Sequence, residues 1–226
     1  MTYKTYYFFT VFVLMLFRGV GQTDLPDGFV RVKSIIPDLD VELRYYGANN
    51  FVGDTITGYT SNTLILTKAA AYQLKLVQDE LQKQNLCLKV YDGYRPQRAV
   101  NHFISWAKKL NDTINKGKFY PDVEKKNLFR EEYIASKSGH SRGSTLDLTI
   151  IDGATGEPLD MGSPYDFFGK QSWVDYKGIS EKQMANRQLL QGVMIKYNFR
   201  NYPKEWWHFT LRWEPFPNTY FDFPVE

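Results

Sequence analysis

A single cysteine, Cys87, is all the thiol chemistry in this 226-residue chain, which excludes any intramolecular disulfide whatever the redox compartment. It sits in the apolar, strand-like run NLCLKVYD, where a small buried hydrophobe is expected rather than a nucleophile or a metal ligand. Charge of one sign is equally scarce. The net charge is +3, and the 28 basic and 25 acidic residues are interspersed, so no basic stripe supports a nucleic-acid partner. Also missing is an apolar run of roughly 20 residues, the length a membrane-spanning helix needs. Internal repeats, low-complexity tracts and the zinc-protease motif H-E-x-x-H do not occur. Only three histidines are present, so any imidazole chemistry is confined to His102, His140 and His208.

What is there begins with Lys4 and the apolar stretch from Tyr6 to Phe17, followed by the small-residue stretch GVGQ from Gly19 to Gln22. A basic start, a short apolar run and small residues beyond it read as a secretory signal peptide over residues 1–21, although Arg18 fits that pattern poorly. Its removal takes Lys4 and Arg18 and no acid, leaving 26 basic against 25 acidic residues and no membrane span. No cysteine follows the run, which argues against a lipid-anchored lipoprotein. Export to the periplasm or cell envelope of a bacterium is the expectation, with residues 22–226 forming one domain.

Within that domain FVRVKSI (Phe29 to Ile35) and VELRYY (Val41 to Tyr46) alternate apolar and polar residues and read as strands separated by Pro37. Thr67 is a plausible N-cap for a helix with apolar residues at Ala70, Leu74, Val77 and Leu81. LCLKVYD then reads as a strand, and a helix is predicted from Gln97 to about Asn115, stopped by Gly117. Residues 118–137 are weakly periodic. STLDLTII reads as a strand, Ser180 and Gln183 occupy capping-box positions before a long helix, and WWHFTLRW reads as a last strand. Helices and strands interleave without the rhythm of parallel crossovers, which predicts an α+β fold with a mostly antiparallel central sheet flanked by helices.

Taken singly, a histidine on a strand is usually a satisfied core or surface residue. Here His140, Asp147 and His208 all fall at or inside predicted strands, and two imidazoles with one carboxylate make a three-ligand set suited to hydrolytic zinc, one ion with a fourth position for water. In GSTLDLTII the residues Leu146, Leu148 and Ile150 share one face, so Asp147 points to the other. Gly143 lets the chain turn between His140 and that strand. Glu205, three residues before His208, is the candidate base for the water; the alternative is an exposed carboxylate at a strand end. Glu205 and His208 have opposite parity in an ideal strand. A shared target therefore requires an irregular strand entrance after Pro203, or a bulge.

At these residues SGHSRGSTLDLT and EWWHF resemble the S-x-H-x-x-G-x-x-x-D and E-x-W-H signatures of the zinc D-alanyl-D-alanine metallopeptidases, a superfamily that includes lysostaphin-type enzymes and the hedgehog signalling domain. YDGYRPQRAV, the tandem Trp206 and Trp207, DMGSPYDFFG and RYYGANNFVGDTITGY are similar to the D-alanyl-D-alanine dipeptidases within it, so the likeness spans roughly residues 29–213. The resemblance implies the hedgehog/D-Ala-D-Ala peptidase-like fold, a small dipeptide substrate, and zinc held by His140, Asp147 and His208. It implies Glu205 as general base and acid, and Arg95 as the cation that stabilises the oxyanion. Ser138 and Asp166 match positions that help to hold the substrate's free amino group, although Asp166 also suits a turn cap. His102 matches no role and reads as structural or exposed. Two alternatives stand beside a dipeptidase acting in cell-wall peptide turnover: a D,D-carboxypeptidase acting on muropeptides, and a zinc-bearing binding module without catalysis.

Overall fold

The computed structural model describes residues 1–2 and 24–226; the expected signal peptide therefore lies, but for its first two residues, outside the described part. The elements are β1 (Phe29–Arg31), β2 (Asp40–Val41), β3 (Ile65–Thr67), α1 (Lys68–Gln82), β4 (Leu86–Asp92), α2 (Gln97–Lys108), α3 (Lys116–Phe119), β5 (Thr145–Asp152), α4 (Glu181–Lys196), β6 (Phe199–Tyr202) and β7 (Glu205–Leu211). The main sheet has the order β2-β4-β5-β7-β6, with β2 and β4 parallel and every other pair antiparallel; β1 and β3 form a separate antiparallel pair. The fold is α+β with a mostly antiparallel sheet, as the interleaving of elements predicts.

The helix starts follow from local chemistry. Thr67 accepts a hydrogen bond from the Ala70 amide, and Ser180 and Gln183 form a reciprocal capping box at α4. Ala70, Ala71, Leu74, Val77 and Leu81 of α1 are completely buried, and the buried Gln78 in the same stripe accepts from the Leu88 amide of β4 at 2.8 Å. On β5, Leu146, Leu148 and Ile150 are fully buried against Leu88 and Val90 of β4, which leaves Asp147 on the opposite face. No helix among the described residues is long and apolar enough to cross a membrane.

Four local expectations are corrected. The first strand ends at Arg31, where Val32–Ser34 turns into a 3₁₀ helix that still buries Val32. The second stops at Val41 because the Asn62 side chain takes over the ladder, donating to the Val41 carbonyl (2.9 Å) and accepting from the Leu43 amide (2.8 Å); Arg44–Tyr46 is a 3₁₀ turn. Helix α2 ends at Lys108, well before Asn115, since the buried Lys125 ammonium satisfies the carbonyls of Lys109 and Asp112 and sits 3.9 Å from the Trp106 ring centroid. Gly117 is thus not its stop but part of α3. Cys87 is half-buried rather than buried. His102 accepts from the Thr57 amide through Nδ1 at 3.1 Å, a structural tie.

Candidate active site

The site begins with register. Asp147 stands opposite His208 of β7 on one side and opposite Asp92 of β4 on the other, so the three central strands present Asp92, Asp147 and His208 side by side. His140 reaches them from the 3₁₀ turn Gly139–Arg142 that leads into β5. That turn closes on Gly143 at φ +79°, where a Cβ would lie 2.2 Å from the Phe29 ring, so only glycine fits. Ser138 caps the turn, accepting from the His140 amide at 3.3 Å.

His140 Nε2 lies 3.3 Å from Asp147 Oδ1 and 3.4 Å from His208 Nδ1, and His208 Nδ1 lies 3.0 Å from Asp147 Oδ1. The three potential ligand atoms all fall within 4.8 Å of one another. The Gly93 carbonyl, 2.8 Å from His140 Nδ1, requires a proton there and so leaves the Nε2 lone pair facing the cluster. The Tyr165 hydroxyl donates to Asp147 Oδ2 at 3.1 Å, whereas the buried Oδ1 has only the two imidazole nitrogens beside it. A buried carboxylate oxygen facing two imidazole nitrogens and no other polar group fits a divalent cation.

The electrostatics agree. Burial alone would raise the Asp147 carboxyl, yet the two imidazoles hold it well below the usual carboxylate range. Burial alone would lower the His208 imidazolium, but Asp147 and Glu205 push it up to about 10. A metal held by the three residues would take the place of that proton as the positive charge.

Glu205 opens β7. The β6–β7 ladder slips there: Asn201 pairs with Phe209 but Tyr202 with Glu205, so residues 206–208 bulge. The irregularity overcomes the parity problem and sets Glu205 Oε2 3.3 Å from His208 Nδ1. Arg95 is fixed by Asp92 Oδ2, which accepts from its Nε and lies on its Nη2, each at 2.8 Å, and by the faces of Tyr45 and Phe103, 4.9 and 5.3 Å from its guanidinium carbon. Asp92 is itself buried and accepts from the Tyr59 hydroxyl at 2.6 Å.

Asp166 sits across the same cleft in the left-handed region, at φ +61°. Both its oxygens lie on the Tyr45 hydroxyl (2.9 and 3.2 Å), and among the described residues it has no ion-pair partner. Burial, with the negative charge of Asp147 second, raises its carboxyl well above the ordinary value against the pull of Arg95. All seven singled-out residues line one cleft of about 320 Å³, at the small end of ligand sites. Tyr45, Asp92, Tyr165 and Trp207 belong to the site as well; Trp207 stands beside His208 in EWWHF and Asp92 three residues before Arg95 in YDGYRP, whereas no local spacing ties the two tyrosines to the site.

A family model described as D-ala-D-ala dipeptidase matches residues 26–226. The chain is 39% identical over 199 residues to a D-alanyl-D-alanine dipeptidase of Enterococcus faecium, covering 88% of this chain and 98% of that protein. It is 37% identical over 197 residues to one from Streptomyces coelicolor, covering 87% and 98%. A third, from Escherichia coli, is 32% identical over 180 residues, covering 78% of this chain and 81% of its own.

Proposed function

The chain belongs to the D-Ala-D-Ala dipeptidase family and is a metallopeptidase, and from that premise we propose that it is a zinc enzyme hydrolysing D-alanyl-D-alanine to two D-alanines. The observation that carries this reading is the convergence of His140, Asp147 and His208, with a buried Asp147 oxygen facing both imidazoles and with Glu205 and Arg95 beside it. Two nitrogen donors and one oxygen donor suit Zn²⁺. Bound by these three residues, Zn²⁺ supplies a Lewis acid for the peptide carbonyl and makes a water molecule acidic near neutral pH.

The chain's own groups do the rest. Glu205 takes the proton of the attacking water as the water oxygen bonds to the carbonyl carbon, and returns a proton to the nitrogen as the C–N bond breaks. Arg95, locked by Asp92 and two rings through Nε and Nη2, offers its charge to the oxygen that becomes negative. Asp166, a carboxyl without a cationic partner, and Ser138 receive the substrate's ammonium. Acylating that nitrogen removes the charge and leaves Asp166 unpaired, so longer peptides are poor substrates. Residues 1–21 act as an export signal, which places the reaction in the envelope and in turnover of cell-wall peptides.

Release of D-alanine from the free dipeptide tests the reading, run with chelator, with zinc restored, with Glu205→Ala and with the N-acetylated dipeptide. Zinc-restored release that disappears in the variant and on the acetylated compound is expected. Equal turnover of the acetylated compound would make the enzyme a D,D-carboxypeptidase, and zinc binding without hydrolysis would make it a binding module. The mass of the chain secreted by a bacterial host, beginning at Gln22 or at Met1, decides the export signal.

A further inference from the structure

Among the described residues, the chemistry above leaves the buried Arg187 unused. Arg187, on α4, is 1% exposed, yet no carboxylate pairs with it among the described residues. The nearby Asp160 is occupied by the Gln183 side chain (2.8 Å) and the Gly162 amide (2.9 Å). Arg187 instead spends all its nitrogens on backbone carbonyls: Nε donates to Met161 at 2.6 Å, Nη1 to Trp173 at 2.6 Å and Nη2 to Gln171 at 2.7 Å. Burying a guanidinium against neutral partners is costly, and burial accordingly lowers this group to about 10.

What the arrangement accomplishes is geometric. Met161 lies at one end of a largely buried loop, Gln171 and Trp173 at the other, and one planar fork gathers both ends. Between those ends the loop carries Tyr165, whose hydroxyl rests on Asp147, and Asp166, held left-handed beneath the cleft. A non-glycine residue in that conformation persists only where its surroundings fix it. Lesser ties act at the same base: Ser163 Oγ accepts from Trp206 Nε1 at 2.9 Å and meets Ser172 Oγ at 3.1 Å.

We propose that Arg187 is a positioning residue of the active site: by clasping both ends of the 161–173 loop it holds Asp166 where the substrate's amino group is received and Tyr165 where it orients Asp147. The inference rests on the functional reading above for what Asp166 receives. Arg187→Lys keeps the charge and removes the fork, and is the direct test. Amides of residues 161–173 should exchange hydrogen at least about 10-fold faster while those of β5 and α1 do not change. With bound zinc still stoichiometric, kcat/KM for the free dipeptide should fall about 10- to 100-fold, mainly through KM, which is the scale of one charge-assisted hydrogen bond. The preference for free over N-acetylated dipeptide should shrink by the same factor, and in an Asp166→Ala background Arg187→Lys should reduce it no further.

Unchanged loop exchange would overturn the proposal, as would faster exchange with unaltered preference or an equal loss on both substrates. Should Arg187→Lys fail to fold, Ser163→Ala loosens the same loop base without touching a buried charge, and its effects should be smaller and in the same direction; wild-type exchange and preference in that variant would count against the clasp. A wild-type enzyme that cleaves no dipeptide would defeat the proposed function instead, and the exchange comparison alone would then decide whether Arg187 holds the loop.

Discussion

Asp147 divides its two oxygens between two tasks, and a third imidazole has no equivalent division. Oδ2 accepts from Tyr165 and lies 3.6 Å from Arg95 Nη2, while Oδ1 faces the two histidines. Removing the tie that aims it, by Tyr165→Phe, should weaken metal binding about 10- to 100-fold with the fold intact, measured by competition against a chelator. The proton on His208 gives a second test. With the pKa raised to about 10, loading zinc at pH 6, below the range in which a zinc-bound water ionises, should expel close to one proton. Calorimetry in buffers of differing ionisation enthalpy reads that number, and affinity should climb about 10-fold per pH unit toward 10. Zero release would mean that His208 is already neutral. His140, Asp147, Glu205 and His208 were legible because short local spacings carry them, two of them seven residues apart and two of them three apart. Tyr45 and Tyr165 were not, because 120 residues separate hydroxyls that the fold brings to 3.4 Å, and no local pattern records such a meeting.

At the scale of elements, those fixed by their own residues were legible and those fixed by a distant partner were not. The Thr67 cap and the Ser180–Gln183 box act within one turn, and both helix starts follow from them. Strand β2 and helix α2 are cut short by Asn62 and Lys125, side chains about 20 residues away whose hydrogen bonds replace the next rung. The bulge at Trp206–His208 stands between these cases: parity demanded an irregularity, and β6, absent from the sequence reading, supplies the strand against which it forms. The turn at Gly143 is the most exacting element. Gly143→Ala must place a Cβ within 2.2 Å of the Phe29 ring at φ +79°, and should cost about 2–4 kcal/mol. Because the same turn carries His140, metal affinity should fall together with the melting temperature. A stable variant with full affinity would show that Phe29 can move aside.

Across the whole molecule the last thirteen residues bind the pieces of the site together. Glu214 takes Arg142 through two hydrogen bonds (2.8 and 2.7 Å), the Phe221 amide donates to the Ser141 carbonyl, and Tyr94 donates to the Phe223 carbonyl. Phe216, Phe221 and Phe223 surround Phe29, so the segment braces both the turn bearing His140 and the turn bearing Arg95. Asp222 completes the brace as an N-cap supplied from a distant part of the chain: its Oδ1 accepts from the Arg98 backbone amide at 2.7 Å and from Arg98 Nε at 3.0 Å. Burial opposes ionisation of Asp222, but the Arg98 side chain and amide prevail and hold its carboxyl below the ordinary value. A carboxyl depressed by folding contributes stability that is present above its unfolded pKa of about 3.9 and is lost as pH falls through the lower folded value. Asp222→Asn should therefore melt below the wild type at pH 7, and the gap should begin to close below about pH 4 and vanish only once the pH has fallen through the lower folded-state value, where the folded carboxylate is protonated too. A gap constant down to pH 2 would mean that the amide fails for reasons of shape, and that the charge at Asp222 contributes nothing to the brace.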